Sequence, residues 1–265
     1  MEKTTHQVSS AIQCRNLKVY RNIYNASDTF RAGYVTQICL PDVTMDVKKG
    51  YVTGLIGRSG GGKSTLILAL AGHLEWDAGT VEYDGLTWKK DSKAIRRMVA
   101  FVFDQMVLPE RRTGFQIAKL VAEVEPWFDW DFFHRTMERL EVPEKRAIGH
   151  YSVGMKKKFY LVLAMSRRPM TLVLDEPTTG VDPVARREIL DLLQEFMEDG
   201  EHSILFSTHI TGDLDRIADE IVILSGGKVL LQEEKEALKK QLAEPDGTLP
   251  EIEQMMERIA KGGLQ

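Results

Sequence analysis

The chain has 265 residues, 43% hydrophobic and 28% charged, which is enough apolar material to bury a substantial core and excludes a disordered chain. Its 35 Lys and Arg against 39 Asp and Glu give a formal charge of -4, without the basic excess that duplex nucleic acid requires of a partner. The two cysteines, Cys14 and Cys39, form no CxxC pair and read as reduced thiols, and no apolar run approaches the roughly 20 residues that span a bilayer.

The opening MEKTTHQVSS has no hydrophobic signal core, so the chain is expected to be soluble and to be held at a membrane, if it works there, by another chain. Strands are expected at Ile12 to Val19, Val43 to Val47, Val52 to Ile56, Thr80 to Tyr83 and Val99 to Phe103. The period then changes, and helices are expected at Phe115 to Ala122, Trp130 to Leu140 and Val153 to Ser166, punctuated by Pro126 and Pro143. Strands resume at Thr171 to Asp175, Ser203 to Ser207 and Glu220 to Leu224. The first of these is almost wholly apolar, as a strand covered on both faces should be. Gly226 and Gly227 separate Ile221–Leu224 from Lys228–Leu231, a hairpin signal that points to an antiparallel edge late in the sheet. Beyond Glu233 the tail is charged and helix-prone, broken at Pro245-Asp246-Gly247 and resuming from Pro250 to Ala260. Alternating strands and helices make this an α/β chain with a mostly parallel sheet and a helical subdomain inserted at about 105–167.

Gly57-Arg58-Ser59-Gly60-Gly61-Gly62-Lys63-Ser64-Thr65 lies between the strand Val52 to Ile56 and the helical run Leu66 to Leu70, the context a phosphate-binding loop requires. Glycines let successive backbone N–H groups turn toward phosphate oxygens, and the following helix adds its positive N-terminal end. Lys63 is expected to reach the β- and γ-phosphates, and the Ser64 hydroxyl suits Mg2+, a hard cation that takes oxygen.

Leu172-Val173-Leu174-Asp175-Glu176 ends a buried strand in two acids, where open α/β sheets put their ligands. Asp175 can hold magnesium, and Glu176 can orient and deprotonate an attacking water, which phosphoryl transfer to water needs. His209, in Ser207-Thr208-His209, ends another apolar run and approaches the γ-phosphate from the same sheet edge. The clustered Trp127-Phe128-Asp129-Trp130-Asp131-Phe132-Phe133 reads either as a docking surface or as a small helical core. Lys156-Lys157-Lys158 and Arg167-Arg168 read as a solvated helix face, and Met255-Met256 as an apolar stripe on the last helix.

Five ordered segments, GRSGGGKST, Asp104-Gln105, YSVGMKKK (Tyr151 to Lys158), LVLDEPTTGVDP (Leu172 to Pro183) and STH, resemble the nucleotide-binding domain of an ABC transporter, over about Ile12 to Gln232. The likeness is greatest to bacterial exporter-type cassettes encoded apart from their membrane subunits. It implies a P-loop NTPase (RecA-like) core at about 1–104 and 168–232, with a helical tail at about 233–265. It also implies ATP and Mg2+ as ligands, a polytopic membrane subunit at the cytoplasmic face of the membrane, and a second cassette, identical or not, facing the first head to tail. By this resemblance Ser152 and Gly154 donate hydrogen bonds to the γ-phosphate held by the partner cassette, and Asp182 lies in the loop that communicates between the two sites. Glu176 is the general base and His209 a γ-phosphate contact.

The family's Leu-Ser-Gly-Gly-Gln here reads Tyr151-Ser152-Val153-Gly154-Met155, with Val153 restricting a backbone that glycine would leave free. Asp104 and Gln105 compete for the sensing-loop position near magnesium: spacing to Leu108 favours Asp104, residue chemistry favours Gln105, and Gln105 is carried forward. An extra dozen or so residues fall between Tyr20 and Asp42. Tyr20 is the candidate to stack on adenine, with Tyr24, Phe30 and Tyr34 as rivals. Substrate export driven by ATP hydrolysis is the expected function. The alternatives are a non-catalytic ATP-binding partner, from which Glu176 and His209 argue away, and a soluble ATPase acting on DNA or ribosomes, which would carry a coiled coil or second cassette.

Overall fold

The computed structural model describes residues 9–25, 33–243, 250–252 and 254–255. Nine strands form one sheet: β1 (Ser10–Asn25), β2 (Gly33–Lys48), β3 (Val52–Ile56), β4 (Ala78–Tyr83), β5 (Val99–Val102), β6 (Thr171–Asp175), β7 (Ser203–Thr208), β8 (Glu220–Ser225) and β9 (Lys228–Glu234), in the order β4-β1-β2-β9-β8-β3-β7-β6-β5. From β8 to β5 the neighbours run parallel, while β1 pairs antiparallel with β2 and β4, and β8 with β9.

The helices α1 (Lys63–Leu70), α2 (Trp88–Met98), α3 (Gly114–Val124), α4 (Trp130–Arg139), α5 (Val153–Met165), α6 (Pro183–Phe196), α7 (Thr211–Ile217) and α8 (Lys235–Gln241) complete the chain. Helices α3 to α5 fall between β5 and β6, as the change of period predicts. Capping fixes where they begin: Thr113 and Gln116 make a reciprocal capping box on α3, and the Asp129 carboxylate accepts from Phe132 N–H at the start of α4.

Strands β3, β6 and β7 are buried on both faces. Leu172, Leu174, Ile204 and Phe206 face the layer built by α3 to α8, and Val173 and Leu205 face Leu66 and Ile67 of α1 and the antiparallel strands. A continuous apolar run is the sequence form of that double covering. Phe128 and Phe133 are buried with Trp130 packed beside them, so the aromatic run is mainly a small core; Trp127 alone stands out, 58% exposed, with the Arg97 guanidinium 4.6 Å over its ring.

Several sequence expectations change. The first two strands are far longer than expected, because the extra residues after Tyr20 continue as an antiparallel ribbon paired from Tyr20↔Ile38 to Asn25↔Gly33. The two-glycine hairpin is not at an edge: β9 lies between β8 and β2, joined to β2 at Asp42↔Lys228. The three lysines are not a solvated face, since Lys157 and Lys158 are 7% and 8% exposed. Lys158 Nζ donates to Leu140 O and pairs with Glu188. In the tail, Ile252 and Met255 are buried against the helical layer; Pro245-Asp246-Gly247, Met256 and the end of the Pro250 to Ala260 helix lie outside the described residues.

Candidate functional site

Strand β3 delivers the glycine-rich loop to the end of the sheet, and Gly62, at φ 103°, caps α1 with a backbone that side chains disfavour. The hairpin turn braces this loop: Gly226 and Gly227 both have positive φ, and Gly227 N–H donates to Gly61 O at 3.0 Å. The cleft above it has a volume of about 440 Å3 and is walled by Ser59 to Thr65, Glu176, Gly226, Gly227 and Cys39. Gly57 lies buried beneath it, and Arg58 is exposed on the loop with its carbonyl accepting from Gly61 N–H at 2.9 Å.

Lys63, 7% exposed, donates to Gly57 O at 2.8 Å and lies 3.8 Å from Glu176 Oε1. Glu176 follows β6 with φ 51°, a left-handed backbone rare for a residue with a side chain. Its N–H donates to Ser207 O at 2.9 Å. Its Oε2 accepts from Thr179 Oγ1 at 2.6 Å and lies 2.8 Å from His209 Nδ1. An ionised carboxylate only accepts, so that ring nitrogen carries the hydrogen.

Asp175 is buried, and the Ser207 hydroxyl donates to its carboxylate at 3.1 Å, with the Ser64 hydroxyl close enough to act on it. Burial pushes its carboxyl above the usual range; the two hydroxyls pull it down, and the nearby charges of Glu176 and Asp104 push it up again. Asp104 is half-buried and held by Lys157 Nζ at 2.6 Å, while Gln105 is exposed. Ser64 and Asp175 form a small oxygen set of the kind Mg2+ uses when most of its ligands are phosphate and water.

The remaining expected residues stand apart from this cleft. Ser152 caps α5, its Oγ accepting from Met155 N–H at 3.2 Å. Asp182 caps α6, accepting from Val184 and Ala185 N–H, and these bonds, Ala185 first, hold its carboxyl below the usual range. Gly154 lets the two helix tips meet, because a Cβ there would sit 3.0 Å from Ala185 Cβ. None of Ser152, Gly154 and Asp182 lines the cleft of their own chain. Tyr20, 39% exposed, is not in its wall either; Cys39 of β2 is. Phe30 lies outside the described residues, as do the side chains of Tyr24 and Tyr34.

The chain matches the ABC transporter family over residues 40–179. It is 31% identical over 202 residues to the ABC transporter ATP-binding protein YtrB of Bacillus subtilis, covering 76% of this chain and 69% of that one. It is 30% identical over 230 residues to the ATP-binding protein EcsA of the same organism, covering 83% and 91%. The chain belongs to the ABC transporter ATP-binding family. Among solved structures, an ATP-binding subunit of an ABC transporter superposes with a TM-score of 0.77 at 26% identity, covering 95% of this chain and all of that one. A dimeric cassette bound to ADP and Pi shares the fold at a TM-score of 0.72 and 21% identity, covering 84% of this chain and 98% of that one.

Membership makes the cleft an ATP site and the chain the ATP-hydrolysing subunit of a transporter. Among the described residues no helix is long and apolar enough to cross a membrane. The sequence reading missed Cys39, Thr179 and Lys157. Cys39 carries no motif of its own, Thr179 was passed over inside the Leu172 to Pro183 segment, and Lys157 was hidden in a run of like charges.

Proposed function

We propose that this cassette hydrolyses ATP only when paired head to tail with a second cassette, with Glu176 as general base, and so drives export through a polytopic membrane subunit at the cytoplasmic face. The observation that carries it is the carboxylate of Glu176 at the rim of the phosphate cleft, bracketed by Lys63 and His209. Lys63, which donates to Gly57 O at 2.8 Å, would give up that carbonyl for phosphate oxygens of ATP. Ser64 and Asp175 would hold Mg2+, which supplies charge neutralisation on the phosphates. Asp104 rather than Gln105 is the acidic neighbour of that pair. His209 Nδ1–H steadies the Glu176 carboxylate and Thr179 supports it, so the base points one lone pair toward water.

The signature residues Ser152 and Gly154 and the loop at Asp182 sit together on an exposed tip that no cleft of the same chain uses, which supports their serving the nucleotide of the facing cassette. SrtF of Streptococcus pyogenes, 27% identical over 205 residues, is named as a lantibiotic transport protein, and the export direction rests on that likeness. A groove of about 420 Å3 between the core and the helical layer, lined by Trp88, Phe101, Phe103, Ile117 and Val121, suits an apolar helix of the membrane subunit.

Glu176→Gln should keep ATP binding and ATP-dependent dimerisation while lowering kcat by about 100-fold or more. Turnover like that of the wild type in the purified variant would refute the assignment.

A further inference from the structure

Lys157 sits in the first turns of α5, five residues after Ser152 and about 7.5 Å along the helix axis from it. Its ammonium is 7% exposed and spends its three N–H donors on three acceptors: Asp104 Oδ1 at 2.6 Å, Asp104 O at 3.4 Å and Glu176 O at 2.7 Å. A buried cation is costly unless paired and hydrogen-bonded, and this one is both.

Glu176 presents its carbonyl to Lys157 Nζ at 2.7 Å and to Thr179 N–H at the longer 3.3 Å. Its N–H is held by Ser207 O and its carboxylate by Thr179 and His209. A non-glycine residue at φ 51° persists only where its surroundings over-determine it. With only the longer Thr179 bond left on its carbonyl, the Glu176 backbone can relax toward an extended conformation and carry the carboxylate away from Lys63.

We propose that Lys157 is a positioning residue for hydrolysis, bolting the Glu176 backbone and the Asp104 carboxylate to the helix that carries Ser152. It touches neither nucleotide nor water and acts through Glu176; the inference therefore rests on Glu176 being the base. The ion pair with Asp104 orients the ammonium, and the bond to the carbonyl does the positioning.

The test is a two-residue cycle on the full chain: wild type, Lys157→Met, Glu176→Gln and the double variant, each measured for kcat and for the KM of ATP. Lys157→Met is expected to lower kcat by about 10- to 100-fold, with KM changed by less than about threefold. In the Glu176→Gln background the same substitution should alter the residual rate by less than about twofold, because the group it positions is already gone. Multiplicative losses in the double variant, or an unchanged kcat in Lys157→Met, would overturn the proposal while leaving the base assignment standing. Wild-type turnover in Glu176→Gln alone would overturn the base assignment and this inference with it. Should Lys157→Met fail to fold, Lys157→Leu, which likewise has no donor for the carbonyl, enters the same cycle with the same criterion.

Discussion

Gly154→Ala puts one methyl group where α5 and α6 touch. The new Cβ would stand 3.0 Å from Ala185 Cβ, closer than carbon atoms rest, so the two helix tips must part by a few tenths of an ångström. Overpacking of this kind costs about 1–3 kcal/mol, and replacing glycine by alanine in a helix returns up to about 1 kcal/mol. The net loss of about 0–2 kcal/mol should lower the Tm by a few degrees, at about 2–4 °C per kcal/mol for a chain of this size. Activity should fall further than stability does, because a misplacement of about 1 Å at a phosphate contact costs up to about 100-fold. The assay is steady-state ATPase against cassette concentration, run beside thermal unfolding. Ala185→Gly removes the opposing carbon and should restore much of the activity in the double variant. ATPase within twofold of wild type in Gly154→Ala, or a double variant that regains Tm without regaining turnover, would refute the reasoning.

Trp127→Ala should weaken co-purification with the membrane subunit while leaving the KM for ATP unchanged, and unaltered co-purification would count against an interface role for this exposed ring. Phe133→Ala, which empties a fully buried site packed against Phe128 and Trp130, should cost about 3–5 kcal/mol in urea unfolding. For Asp175 the folded carboxyl titrates above its unfolded value, so the folded chain holds the extra proton between the two. Its contribution to stability is therefore present below the unfolded pKa and lost as pH rises through the folded one. Magnesium must displace that proton, so the Mg2+-dependent part of the ATP-induced Tm shift should shrink as pH falls and flatten in Asp175→Asn. A metal effect independent of pH would contradict it.

Much of the nucleotide cleft was legible because its chemistry is local: the glycine run, lysine and serine are contiguous, and β6 announces its burial by having only Thr171 polar before Asp175. The helices α3 to α5 were read to within two residues at each end, since Thr113, Asp129 and Ser152 cap them where the apolar period begins. Helix α2 was missed because Asp91 interrupts it with a non-helical backbone and only Ile95 is buried. The ribbon after Tyr20 was missed because a two-stranded arm needs no alternating buried face. Lys157 and Lys158 were misjudged for a different reason: their acceptors lie 53 and 18 residues away in Asp104 and Leu140, and no local pattern reports a distant carbonyl.

The left-handed backbone at Glu176 makes the catalytic carboxylate a load the fold carries, not one it benefits from. Glycine and asparagine accept that conformation more readily, so either would relieve part of the strain and remove the base in one step. A copy of this cassette released from selection for hydrolysis, such as one half of an asymmetric pair, has a downhill route in stability to losing this residue first.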